Sequence, residues 1–149
     1  MGAAGPFVVA LASLFAADAR DDAARDEIKK FDGTWKIVSV ERHGQKRMNP
    51  PDIWVIDNGR AKVYAGRNQS QLLTYVHKID PSRKPKAIDQ YTEFTDGKPT
   101  KEPVRGIYEI NGDTWKICYF MSARGKRPKD FTGAKDTNCS LYILKREKP

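Results

Sequence analysis

The sequence predicts an all-β protein, a small antiparallel up-and-down barrel of about eight strands behind a short N-terminal helix. Three observations carry that prediction. β-Branched and aromatic residues recur in short runs, turn chemistry separates most of those runs, and no helical period falls between them. Composition sets the frame. The 149 residues make one domain, and 39% hydrophobic with 31% charged content excludes a disordered or collagen-like chain. Apolar runs stay short of the ~20 residues that span a bilayer, so no membrane span is expected.

Residues 1–19 read as a signal peptide. Pro6 to Ala17 is apolar or small throughout, and Ala17-Asp18-Ala19 supplies the A-x-A pattern of a cleavage site, although no Lys or Arg precedes it. A short buried helix is the alternative. Cleavage after Ala19 removes Asp18 and no base, so the net charge rises from +8 to +9 and the mature chain is expected to be secreted or periplasmic. Residues 20–32 read as the helix. Asp21 or Asp22 can cap it, Ala23, Ala24 and Glu27 favour it, and Ile28 and Phe31 lie three apart on one side.

Residues 33–149 form the barrel domain. Strands are expected at 34–42, 54–56, 60–65, 71–78, 86–94, 104–110, 113–121 and 139–146. Turns fall at His43-Gly44, Asp57-Asn58-Gly59, Gly66-Arg67-Asn68, Asp80-Pro81, Asp96-Gly97 and Asn111-Gly112. Closing such a meander removes its exposed edges.

The last three strands can be registered. Asn111-Gly112 as the centre of a type I′ turn pairs Ile110 with Asp113 and Tyr108 with Trp115. Trp115, Ile117 and Tyr119 then share one face, while Tyr142, Leu144 and Arg146 share one face of the final strand. Setting Cys118 across from Cys139 turns the aromatics inward and leaves both cysteines outside. On that register, in an oxidising compartment, a disulfide between Cys118 and Cys139 is expected, with a buried thiol at Cys118 as the alternative.

Gly33-Thr34-Trp35 opens the first strand and Leu144-Lys145-Arg146 closes the last. These strands are neighbours in a closed barrel, so Trp35 and Arg146 can meet. This resembles the lipocalin and calycin arrangement, in which a Gly-x-Trp tryptophan plugs one end and an arginine of the final strand packs across its ring. Further segments occur in order: Ile79-Asp80-Pro81 with Lys84 to Asp89, Gly106-Ile107-Tyr108-Glu109, Gly112 to Tyr119, and Arg127-Pro128 with Phe131. From Phe31 to Arg146 the chain resembles the uncharacterised lipocalin-like domain family expanded in planctomycete bacteria. It departs at Trp115, where that family more often shows Leu, and at Cys139, where a second Cys is not typical. The resemblance implies the fold and an exported single-domain protein; it implies no activity.

No catalytic set, metal site or cofactor is expected. His43 and His77 have no partner at ligand spacing, and no Gly-x-Ser-x-Gly elbow is present. Asp80, Asp89, Glu109 and Asp113 lie at or near turns, where carboxylates usually bond to backbone donors. The proline-stiffened run Lys78 to Lys86 reads as a solvated turn or as a polyanion clamp. Arg127 and Phe131, in the longest expected loop, read as a structural loop anchor or as part of a lid or binding element, Phe131 docking on the barrel while Arg127 reaches a carboxylate or ligand. Trp35, Tyr108, Trp115, Tyr119 and Tyr142 are the candidate ligand lining, and the sequence leaves open whether they line a cavity or fill the barrel. The leading function is an exported lipocalin-like binding module for a small apolar or amphipathic ligand, not an enzyme. The alternative is a filled barrel whose basic face binds an acidic protein or polyanionic polymer. Export and inward-turned aromatics argue against nucleic acid as the partner.

Overall fold

The computed structural model describes residues 7–66, 70–94 and 96–148, with side chains from Asp18 onward. Helix α1 (Phe7–Ile28) runs into a 3-10 turn over Lys29–Phe31. Nine strands follow: β1 (Gly33–Arg42), β2 (Gln45–Met48), β3 (Ile53–Asp57), β4 (Arg60–Ala65), β5 (Ser70–Asp80), β6 (Lys86–Glu93), β7 (Val104–Asn111), β8 (Thr114–Phe120) and β9 (Cys139–Arg146). The helix expected over 20–32 is present, its backbone beginning earlier, at Phe7. The signal peptide expected over 1–19 lies almost wholly outside the described side chains.

Strands pair antiparallel in the order β1-β3-β4-β5-β6-β7-β8-β9, and β9 returns to pair with β1. The result is a closed, eight-stranded, lipocalin-like barrel. β2 is an additional short strand on the far half of β1: Gly33–Lys36 pair with β3, whereas Ser39–Arg42 pair with β2. Sequence reading misses β2 because Gln45, Lys46, Arg47 and Met48 are all exposed and show no alternation.

Alternation builds the core. Trp54 and Ile56, Ala61 and Val63, Ile88, Tyr108, Trp115 and Ile117, and Leu144 point into one buried cluster with Phe31 from the helix end. A smaller cluster lies on the outer wall, where Phe120, Phe131 and Leu141 cover Ile107, Cys118 and Cys139. β1 carries a bulge. Ile37 pairs with Leu144 and Ser39 with Ile143, so Val38 has no opposite residue on β9. The extra residue changes parity along β1: Trp35 and Ile37 face inward below it, Val40 and Arg42 above it.

The β7–β8 hairpin turns on Gly112-Asp113 instead of Asn111-Gly112. Asn111 pairs with Thr114, and positive φ falls on Gly112 alone, at +56°, as in a type II′ turn. Ile110 therefore faces Trp115, and Tyr108 faces Ile117. β9 is offset from expectation by the same two residues, so Cys118 faces Leu141 and Phe120 faces Cys139. A two-residue slip keeps every side chain on its expected face, but it sets the cysteines on a diagonal. Diagonal strand neighbours lie about 7–8 Å apart, beyond the ~4.4–6.8 Å that a disulfide spans. The expected disulfide is not formed. Both cysteines are buried free thiols, Cys118 Sγ donating to the Thr132 carbonyl at 3.3 Å and Cys139 Sγ to the Thr137 carbonyl at 3.2 Å. Burial pushes the Cys118 thiol up to about 11.

Candidate functional site

The two ends of the barrel differ in kind. At the first end, Trp35 is 0% exposed and its indole Nε1 donates to the Phe31 carbonyl at 2.7 Å. Phe31 stacks on Trp115 at 4.6 Å and meets Tyr108 edge-on at 5.2 Å. The Arg146 guanidinium lies 4.3 Å over the Trp35 ring, donates to the Lys30 carbonyl at 2.7 Å and to the Asp32 carbonyl, and reaches Asp113 Oδ1 at 3.1 Å. This explains the glycine of the Gly-x-Trp signature. Gly33 holds φ at +125°, and a Cβ there would sit 2.8 Å from Arg146 Nη1.

Glu27 completes the seal from the helix. It is 6% exposed and accepts from Lys30 Nζ at 2.6 Å, Lys86 Nζ at 2.7 Å and the Tyr108 hydroxyl at 3.3 Å. Burial pushes its carboxyl up, but the hydrogen bonds and charges of the two lysines outweigh burial and hold it below the ordinary value.

The middle of the barrel is packed and contains unpartnered polar atoms. His77, 4% exposed, stacks on Trp54 at 6.0 Å and meets Trp115 edge-on at 5.7 Å. Its Nε2 donates to Gln90 Oε1 at 3.0 Å, while its Nδ1 and the Trp115 Nε1 have no partner among the described residues. Burial drives His77 down to about 4, the Gln90 bond opposing only part of that shift.

The second end is open. A cavity of about 490 Å³ is lined by Ile37, Val40, Arg42, Lys46, Asp52 and Tyr142 among others. It shares Arg42, His43 and Tyr142 with an adjoining recess of about 390 Å³, whose wall adds Gln90, Tyr119 and Ser140. The bulge in β1 is what brings Arg42 here. Arg42 donates from Nε to Ser140 Oγ at 2.8 Å and from Nη2 to Tyr142 Oη at 3.0 Å. The Tyr119 hydroxyl is buried and has no partner among the described residues. Tyr75 sits beside this group: burial pushes it up to about 12, with Tyr142 and Asp52 adding and Arg42 opposing.

The sequence-derived residues thus separate. Trp35, Tyr108 and Trp115 are packed in the sealed part, while Tyr119 and Tyr142 reach the mouth. Arg127 Nη1 donates to the carbonyls of Ile88 at 3.1 Å and Gly106 at 2.8 Å, and its Nη2 meets Asp89 Oδ1 at 2.7 Å. It ties the long loop to β6 and β7, and Phe131, with Lys116 Nζ 5.1 Å over its ring, covers the outer cluster. Arg42, Gln90 and Ser140 escaped sequence reading. Arg42 does stand directly before the His43-Gly44 turn, a rim position, but the bulge hides which way it points. Asp80 accepts from the Ser82 backbone at 3.0 Å, in keeping with a turn carboxylate.

Known families, curated proteins and solved structures offer no match. Among the described residues, no group of three or more His, Cys, Asp and Glu could hold a metal ion, and no helix is long and apolar enough to cross a membrane.

Proposed function

We propose that this protein is an exported binding module whose barrel mouth takes a small amphipathic ligand, and that it belongs to the lipocalin-like family its motifs resemble. The observation that carries the reading is the asymmetry of the barrel. One end is plugged by Phe31, Trp35, Trp115 and Arg146, with a recess of about 440 Å³ lined by Lys30, Asp113 and Arg146, whereas the other keeps a cavity of about 490 Å³ that reaches the core-facing side chains of Ile37 and Val40. That volume falls within the roughly 300–1,000 Å³ of small-molecule sites. Its wall combines apolar surface from Ile37 and Val40 with polar groups at Arg42 and Tyr142. In this reading the protein acts as a carrier and not as an enzyme, and the buried His77 is engaged by Gln90 within the packed middle of the barrel. It is favoured over binding of a polyanion by the outer surface because the packing of the barrel stops short of the mouth, where Ile37, Val40, Arg42 and Tyr142 line open space.

Titration with the neutral fluorophore N-phenyl-1-naphthylamine tests the site. Wild type is expected to bind it, and Val40→Trp, which fills the mouth, to lose that binding while retaining its fold by circular dichroism. Undiminished binding in a folded Val40→Trp variant would place the ligand elsewhere. Native mass spectrometry of protein purified from its own host would identify the occupant, and N-terminal sequencing of the same sample should begin near Arg20.

A further inference from the structure

We infer that the mouth selects an anion: a small molecule with an oxyanion head on an apolar or aromatic body, the head seated between Arg42 and Tyr119. The inference rests on the mouth being a ligand site and goes further, to the charge of the ligand. The hydrogen bonds already made there decide the matter. Arg42 donates to both Ser140 Oγ and Tyr142 Oη, so each hydroxyl has spent a lone pair and keeps its own proton to give. Gln90 is in the same position. Its Oε1 is occupied by His77, leaving the amide nitrogen to donate into the recess. The Tyr119 hydroxyl lies in the recess wall, buried and without a partner. Arg42 has further N–H groups beyond the two in use. Five side chains therefore offer donors to one space.

A group that only accepts complements such a set, and an oxyanion only accepts. Charge agrees with hydrogen bonding. The mouth is lined by Arg42, Lys46 and Arg47 against the single carboxylate of Asp52, and none of the three cations forms an ion pair among the described residues. A neutral alcohol or amide would leave Arg42 without a counter-charge. A cation would meet it directly. The apolar side of the wall, at Ile37 and Val40, takes the body of the ligand.

Two fluorophores built on the same ring skeleton separate the outcomes. 8-Anilinonaphthalene-1-sulfonate carries the anionic head, and N-phenyl-1-naphthylamine lacks it. Wild type should bind the sulfonate about tenfold more tightly, the usual difference for a charge-assisted hydrogen bond. Arg42→Gln should lose about that factor for the sulfonate and change the neutral probe by less than about twofold. Tyr119→Phe, which removes only the buried hydroxyl, should weaken the sulfonate severalfold and leave the neutral probe unchanged. Circular dichroism establishes that each variant is folded. Equal affinity of wild type for the two probes, or an Arg42→Gln variant that keeps its preference for the sulfonate, overturns the anion inference while leaving the mouth as the site. Failure of wild type to bind either probe overturns the mouth reading and the inference together.

Discussion

Between pH 6.5 and about 4, acidification should weaken this fold through His77. His77 lies inside the barrel, stacked on Trp54 and edge-on to Trp115, and its free nitrogen has no acceptor for a second proton among the described residues. Burial brings it from the ordinary 6.5 down to about 4. The unfolded chain takes up a proton as pH falls through 6.5, whereas the folded chain resists until about 4. Stability from this group is thus complete above 6.5, is lost progressively between 6.5 and about 4, and changes no further below that. At 1.36 kcal/mol per pH unit the loss comes to about 3 kcal/mol. Against a typical total of about 5–15 kcal/mol, that is a large share. Urea unfolding followed by tryptophan fluorescence at pH 7.5, 6.5, 5.5 and 4.5 measures it. The wild-type slope should disappear in His77→Gln and persist in His43→Gln, since His43 is exposed in the β1–β2 turn. An unchanged slope in His77→Gln would refute the argument, as would a His77 resonance titrating near 6.5.

Trp35→Ala should destabilise by about 3–5 kcal/mol in urea unfolding, because it empties the sealed end and orphans the Phe31 carbonyl; a cost below about 1 kcal/mol would mean the end is not packed. Glu27 contributes in a separate window. Its folded carboxyl lies below the ordinary 4.5, so its stabilisation is present above 4.5 and lost as pH falls through the lowered value. Glu27→Gln should remove that acid-limb loss, at a cost of about 1–2 kcal/mol near neutrality because Lys30 is mostly solvated and Lys86 half-buried. Thiol titration without reductant should find both cysteines blocked in the native protein and two free thiols after denaturation; finding none after denaturation would contradict the diagonal register.

What the sequence revealed follows from parity. Alternation in runs such as Trp115-Lys116-Ile117-Cys118-Tyr119 assigns faces, and Gly and Asn at the turns mark where strands end. The eight barrel strands and the inward aromatics were therefore legible. Register was not, because a slip of two residues leaves every face as before. The pairings of Ile110 with Trp115 and of Cys118 with Leu141 expose the difference. The bulge at Val38 was equally hidden, since Ile37, Val38 and Val40 offer apolar residues of both parities. Glu27 gave no more signal than Lys30 three residues on, a spacing that many surface pairs share. At the mouth, Tyr119 and Tyr142 were legible as inward aromatics, whereas Arg42, Gln90 and Ser140 were not, because they come from three strands and meet only when the barrel closes.

The unmatched residue at Val38 makes the chemistry of the rim depend on how β1 is counted out. Were the same sequence laid down as an even strand, Ser39 and Glu41 would turn toward the lumen and Arg42 toward solvent. A carboxylate would then stand where a guanidinium now does, with no amino acid changed. Shortening the strand by removing Val38 would do the opposite and leave Arg42 inside. The charge of this rim is therefore encoded in backbone length as much as in side-chain identity. A lineage could invert the charge that lines this rim through a change in how one strand is spaced, without substituting any side chain there.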